Sequence, residues 1–214
     1  MKVYFIRHGQ TKGNREGRYV GRTDESLLSE ARDRLSEKSL LLKTVLSADV
    51  LYVSPMLRCR ETAQILFSGK AQIAVDAFRE CDFGEFEYRN YRELNGNPDY
   101  QRFIDSGGTC GFPGGETMGE FQDRCVNEFC RVIDIERGRK PDSSIAFIVH
   151  GGTIMAILDR FSYPHKSYFE WQTENGNGYA AEVSYDEKTR KLLLGHIVDL
   201  NEFLNIAGQR KEWE

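Results

Sequence analysis

No apolar run in this chain approaches the roughly 18 residues that a membrane-spanning helix requires; the longest, SLLLKTVL, is broken by Lys43. Met1 and Lys2 lead straight into Val-Tyr-Phe-Ile, without the apolar stretch and small-residue cleavage site of a secretory signal, so the expected compartment is the cytoplasm. Cysteine is sparse and unpaired in pattern: Cys59, Cys81, Cys110, Cys125 and Cys130 are odd in number and show no C-x-x-C spacing. That excludes a disulfide framework and a zinc ribbon and predicts reduced thiols. No H-x-x-x-H or H-x-H spacing joins the 4 histidines, so a zinc hydrolase has little support and no metal is expected. An excess of basic charge is also missing: 29 Lys+Arg stand against 33 Asp+Glu, a net −4. That balance argues against nucleic-acid or anionic-membrane partners, while a small anionic substrate needs only a few local arginines. Internal repeats and low-complexity tracts are absent too.

What is present is enough for one sizeable core. With 214 residues, 40% hydrophobic and 12% aromatic, a single domain over 1–214 is the expected organisation. Val3–Ile6, Val50–Val53 and Ile145–Val149 are short continuous runs of β-formers, the pattern of strands buried on both faces, and Gln72–Val75 is a shorter fourth. Helical patterns alternate with them: Ser29–Thr44 with Leu35, Leu40, Leu41 and Leu42, then Cys59–Phe67, Thr117–Ile135 after a Pro-Gly-Gly turn, and Ile154–Phe161. This alternation predicts an α/β fold, a three-layer sandwich with a mostly parallel central sheet. The stretch YAAEVSYDEKTRKLLLGHIVD reads as two strands around the polar turn 186–191, an antiparallel hairpin at the sheet edge. Residues 83–115, irregular and rich in Gly, Asn and Tyr, read as a lid-like insertion over the active site.

Three strands end in chemistry-bearing residues: Arg7-His8-Gly9, Ser54-Pro55 with Arg58 a helical turn later, and His150-Gly151-Gly152. In an open α/β sheet ligands bind beyond the carboxyl ends of the strands, so these groups should converge on one crevice. Arginine's planar fork suits phosphate oxygens and stays charged, so Arg7 and Arg58 would clamp a dianion. A neutral imidazole beside them is a competent nitrogen nucleophile, provided its other ring nitrogen gives its proton to a fixed acceptor. The second histidine, protonated, would hold an equatorial oxygen. A leaving alkoxide still requires a proton, and FRECDFGEFE offers Glu80, Asp82, Glu85 and Glu87 as acids. Spacing alone does not choose among them. Cys59, beside Arg58, lies inside a helical pattern and not in a phosphate-cradling loop, so it reads as packing. His165 and His196 read as ordinary histidines.

RHGQTKGN resembles the RHG(E/Q)(S/T)xxN signature of the histidine phosphatase superfamily, which includes cofactor-dependent phosphoglycerate mutases, fructose-2,6-bisphosphatases and α-ribazole phosphatases. The resemblance continues in order through GRTDESLLSEA, SPMLRCRETAQIL, FRECDFGEFE, FPGGET and VHGGTI. It implies the phosphoglycerate mutase-like fold, no metal and no cofactor, and a phosphatase of a small phosphorylated metabolite. By the same resemblance His8 is the phosphorylated nucleophile, Arg7, Arg58 and His150 form the phosphate pocket, and Glu80 is the proton donor. Asn14 would contact the phosphate, and Gly21 and Gly151 would let backbone approach it. Three positions depart from the family pattern: Tyr88 stands where a glycine is usual, SLLSEA replaces PLTxxG, and Met155 stands where many relatives have Arg. The insertion offers only Arg89, Arg92 and Arg102 to grip a second anionic group, which favours a phosphatase over a mutase. A non-catalytic phospho-ligand binding module on the same fold is the remaining alternative. Aromatics Phe83, Phe86, Tyr88 and Tyr91 suit either an apolar leaving group or lid packing. Oligomeric state is not readable.

Overall fold

A computed structural model describes residues 1–186, 188–189 and 191–204, with the backbone alone at 43–45. Its sheet has 6 strands in the order β3-β2-β4-β1-β5-β6, formed by Lys2–Arg7 (β1), Val50–Val53 (β2), Ile73–Ala74 (β3), Ser144–Val149 (β4), Gly178–Tyr185 (β5) and Leu192–Asp199 (β6). β1, β2, β3 and β4 pair in parallel, β5 pairs antiparallel with β1, and β6 antiparallel with β5. The expected hairpin therefore closes one side of the sheet, with β6 at its edge. Within the expected turn 186–191, Glu187 and Arg190 lie outside the described residues.

Among the described residues six helices lie between the strands: Lys12–Arg15 (α1), Ser29–Val45 (α2), Leu57–Leu66 (α3), Pro98–Asp105 (α4), Met118–Arg139 (α5) and Gly151–Phe161 (α6). Strand side chains alternate between two faces, and each face has its own core. Tyr4, Ile6, Leu51, Val53, Ala146 and Ile148 pack with α2 and α3 on one side. Val3, Phe5, Tyr52, Ile145, Phe147 and Val149 pack with α5 and α6 on the other. The rings of Phe5 and Phe147, neighbours across β1 and β4, stack with centroids 5.4 Å apart. Of the leucines read as the buried stripe of α2, Leu35 and Leu42 are in the core, whereas Leu40 and Leu41 are 66% and 51% exposed. The run of three leucines spans too wide an arc for one helix face.

Register sets the site. Ile6 pairs with Ile148 and Val53 pairs with the same residue, so β1, β2 and β4 end at one level. Arg7-His8, Ser54 and His150 thus emerge side by side. Helix α6 starts at Gly151, earlier than the apolar pattern indicates, with His150 as its N-cap. Residues 83–115 are more ordered than expected. They contain α4, begun by an Asn97 side chain that accepts from the N–H groups of Asp99 and Tyr100, with Pro98 at the first helical position. Phe86, Leu94 and Phe112 from this segment form a third apolar cluster with Phe121 and Cys125 of α5 and Ala156 of α6.

Candidate active site

His8 and His150 face each other with ring centroids 5.2 Å apart and planes at 68°. Both are buried. His8 Nδ1 lies 2.7 Å from the carbonyl oxygen of Gly9; a carbonyl can only accept, so Nδ1 carries the proton and Nε2 keeps its lone pair. Burial, with the Arg58 and Arg7 charges adding to it, holds the proton affinity of His8 well below the ordinary 6.5. The ring is therefore neutral and of fixed tautomer. The turn that presents it is pinned: Gly9 N–H donates to Thr62 Oγ1 (2.9 Å), which in turn donates to the Arg58 carbonyl (2.7 Å). A Cβ on Gly9 would lie 2.7 Å from Leu35 Cδ1 of α2, so the glycine lets that helix pack close to the turn.

His150 Nε2 sits 2.8 Å from Ser54 Oγ, and the Cys59 sulfur is 3.7 Å from the same nitrogen. Before an anion arrives, this field disfavours the protonated state expected for His150. Burial, Arg58, His8 and Arg7 lower its proton affinity well below 6.5. Cys59 belongs to the site wall, and burial pushes its thiol up to about 12, far from a thiolate nucleophile.

The arginines carry the clearest sign of what the crevice holds. Arg58 is fully buried; its Nη1 donates to Thr23 O (2.9 Å) and its Nη2 to Gly21 O (3.0 Å) and Val20 O (3.2 Å). Arg7 Nη1 donates to Thr173 O at 2.7 Å. The Nε atoms of both guanidinium groups are buried and find no hydrogen-bond partner among the described residues. A buried charged donor left unpaired costs several kcal/mol, roughly 1–3 or more for each group, which an oxyanion on these nitrogens would offset. Among the described residues no group of three His, Cys, Asp or Glu is arranged to hold a metal ion.

Of the carboxylates left open by spacing, the structure brings only Glu80 to this crevice. A Cβ on Gly152 would lie 2.7 Å from Glu80 Oε1, so the second glycine after His150 makes room for the carboxyl, while Gly151 leaves space for Arg7 Nε. Burial raises the proton affinity of Glu80, outweighing the Cys81 N–H bond and the Arg58, Arg7 and Arg124 charges. Glu87 is occupied by the N–H groups of Gly21 and Thr23 and the Thr23 hydroxyl. Asp82 Oδ1 accepts from Gly84 N–H at 2.9 Å, and Glu85 is exposed.

Asn14 caps α1 in reciprocity with Thr11, and its Oδ1 also accepts from Asn175 (3.3 Å). Gly21 differs from expectation. Its N–H is taken by Glu87 and its carbonyl by Arg58, so it has no donor to spare for a phosphate. A Cβ there would overlap the Cys81 carbonyl at 2.1 Å; the glycine lets two loops touch. Tyr88 has φ 61°, the left-handed region that explains why a glycine is usual at this place. Its hydroxyl donates to Glu25 Oε1 (2.8 Å), which also accepts from Gly13 N–H. Of the aromatics, Phe86 is buried packing, Phe83 packs against the same cluster, and Tyr91 is 61% exposed.

One supporting loop carried no recognisable signal. Residues 172–177 bond to β1 and the turn after it: Asn177 O accepts from Arg7 N, Gly176 N donates to Arg7 O and His8 O, and Asn175 Nδ2 donates to His8 O. Beyond Arg7 this loop and α2 border a cleft of about 840 Å³, lined in part by Gln10, Arg34, Lys38 and Met155. The Met155 departure thus places a thioether on the wall of that cleft.

Fold and site together define a class: an α/β protein in which the ends of β1 and β4, helix α3 and the loop holding Glu80 bring together a neutral, tautomer-fixed histidine, a carboxyl of raised proton affinity and two guanidinium groups. The chain belongs to the histidine phosphatase superfamily, branch 1, whose family model matches residues 3–196. It is 28% identical over 165 residues to phosphoglycerate mutase-like protein 4 of Arabidopsis thaliana, covering 74% of this chain and 70% of that one. It is 26% identical over 162 residues to the uncharacterized phosphatase PhoE of Bacillus subtilis, covering 75% and 77%. The fold matches the crystal structure of the α-ribazole phosphatase of Shigella flexneri with a TM-score of 0.78 at 21% identity, over 91% of this chain and 94% of that one.

Proposed function

We propose that this chain hydrolyses the phosphomonoester of a small metabolite in two steps, through a phosphohistidine at His8. The observation that carries the reading is the pair of buried, unpartnered guanidinium Nε atoms beside a histidine whose Nε2 is free to attack. In the first step Nε2 of His8 forms a bond to phosphorus as the ester P–O bond breaks, and Glu80 gives its proton to the leaving oxygen. In the second, Glu80, now a carboxylate, takes a proton from water whose oxygen displaces His8 from phosphorus. Free phosphate leaves and the neutral imidazole returns. Arg7 and Arg58 hold the equatorial oxygens throughout, aided by Asn14 and by the Gly151 N–H at the start of α6. A phosphate dianion reverses the local field, so His150, neutral beside the arginines, gains proton affinity as substrate arrives.

Relatives named as phosphatases and as mutases share the family, so the acceptor decides the activity. Hydrolysis is favoured because the arginines of the 83–115 segment serve other ends: Arg92 stacks over Tyr91, Arg102 pairs with Asp99, and Arg89 is exposed. That segment, packed as an aromatic cluster against α5 and α6, supports a fixed wall within one domain. The described cysteines are all free thiols, and no described helix is long and apolar enough to cross a membrane.

The test is a rapid-quench assay in chelator over a panel of phosphomonoesters. An acid-labile, alkali-stable phosphoryl adduct that is absent in His8→Ala is expected. Activity lost to the chelator, or unchanged in His8→Ala, overturns the reading, and transfer to 3-phosphoglycerate with its bisphosphate primer would replace hydrolysis by mutase chemistry.

A further inference from the structure

A proton donor is useful only where its carboxyl is held. Glu80 lies on no helix or strand; it follows the 3-10 turn Asp76–Phe78 and precedes another, Gly84–Phe86. Its own side chain makes one bond, accepting from Cys81 N–H at 3.0 Å. What fixes the backbone around it comes from α5. Arg124 Nη1 donates to Ala77 O (2.8 Å) and Arg79 O (3.0 Å), and its Nη2 reaches Glu80 O at 3.5 Å. The rest of the guanidinium forms a two-point fork on Glu116, Nε to Oε1 at 2.9 Å and Nη2 to Oε2 at 2.7 Å. Glu116 in turn closes on the other flank: its Oε2 accepts from Asp82 N–H (2.9 Å), and its own N–H donates to Asp82 O (2.9 Å).

One ion pair therefore grips main-chain atoms of Ala77, Arg79, Glu80 and Asp82, on both sides of the carboxyl-bearing residue. The side chains are only 26% and 25% exposed, so the charge-assisted bonds are poorly screened. Arg124 also lies over the Phe121 ring, 5.2 Å from its centroid, and that ring abuts the Gly152 position next to Glu80 Oε1.

We infer that Arg124 and Glu116 are positioning residues for the proton donor Glu80: they set where its carboxyl meets the leaving oxygen and do not themselves touch substrate. The inference rests on the phosphatase reading above. Its mark is selectivity by leaving group. An ester of a weakly acidic alcohol needs its oxygen protonated as the bond breaks, whereas p-nitrophenyl phosphate leaves as a stable anion with little help. A pair that serves only general stability would slow both equally.

The experiment compares kcat/KM, which reports the first phosphoryl transfer and not the water attack common to both esters, for an alkyl phosphate and for p-nitrophenyl phosphate in wild type, Glu80→Gln, Arg124→Met and Glu116→Gln, with inhibition by inorganic phosphate measured alongside. Misplacing a general acid is expected to cost the alkyl ester about 10–100-fold while p-nitrophenyl phosphate changes by less than about 3-fold. Phosphate inhibition should be unchanged, since Arg7 and Arg58 remain in place. Where Arg124→Met does not fold, Glu116→Gln, which keeps the side-chain shape and an acceptor oxygen, carries the test with a smaller split in the same direction. Equal losses on both esters in the folded variants overturn the positioning role. Absence of the split in Glu80→Gln itself overturns the proton-donor reading instead, so the two failures are distinct.

Discussion

His8 and His150 share a field: each is deprived of its proton by burial and by the charges of Arg58 and Arg7, and His150 also by His8. That gives the fold a pH signature. In the unfolded chain both imidazoles bind a proton below their ordinary 6.5, while in the folded chain they do not, so the unfolded state holds more protons there and stability falls as pH drops through that value. Glu80 acts in the opposite sense. Its folded proton affinity is raised above 4.5, so the folded state holds the extra proton and gains as pH falls. Two depressed imidazoles outweigh one raised carboxyl at pH near 6. Calorimetric melting is expected to show the transition temperature falling from about pH 7 to pH 5, and the slope to flatten in His8→Gln/His150→Gln. An unchanged slope in that double variant would show that the histidines are charged in the fold.

At the scale of elements, the site depends on a seam between the Glu80 loop and the Pro-Gly-Gly turn. Gly84 has φ 52°, and a Cβ there would overlap Pro113 O at 2.1 Å, while Glu85 N–H donates to the same carbonyl at 2.8 Å. Gly84→Ala adds backbone strain and forces two main chains apart, an expected loss of about 2–4 kcal/mol in urea unfolding; a loss below about 1 kcal/mol would mean the seam is pliable. By contrast Thr117→Ala removes only the cap of α5 and should cost about 1 kcal/mol, with no selectivity among esters. Parts of this arrangement were legible before any coordinates. The apolar runs that became β1, β2 and β4 are continuous because both faces are buried, and the Pro-Gly-Gly turn announced the start of α5. The start of α6 was hidden because Gly151-Gly152 have poor helix propensity and are there for Arg7 and Glu80. Helix α4 had a visible signal in Asn97-Pro98 that the surrounding glycines obscured. The bonds of Ser54 to His150, of Thr62 to Gly9 and of 172–177 to β1 join residues distant in sequence, and no local pattern encodes such pairs.

For the molecule as a whole, gathering Arg7, Arg58 and two histidines in one crevice opposes folding unless an anion is bound, and the two arginines contribute differently. Arg58 satisfies carbonyls of Val20, Gly21 and Thr23 and so ties the loop after α1 to α3. Among the described residues the Arg7 side chain bonds Thr173 O alone, and burial, with the Arg58 charge, outweighs the nearby Glu80 carboxyl in lowering its proton affinity. In phosphate-free buffer Arg7→Met is accordingly expected to melt at or above the wild-type temperature, because it removes a poorly paired buried charge. Arg58→Met should lose roughly 2–4 kcal/mol, because three carbonyls lose their donor. Added phosphate acts through binding to the folded state alone. At 100 times its dissociation constant it should stabilise the wild type by about 2.7 kcal/mol, a rise of roughly 5–10 °C for a domain of this size, and both variants should lose most of that rise. A thermal-shift series in phosphate measures all of this at once. If Arg7→Met melts several degrees below wild type without phosphate, the arginine is a structural strut; if it keeps the full phosphate-induced rise, the unpartnered Nε is not where the anion binds.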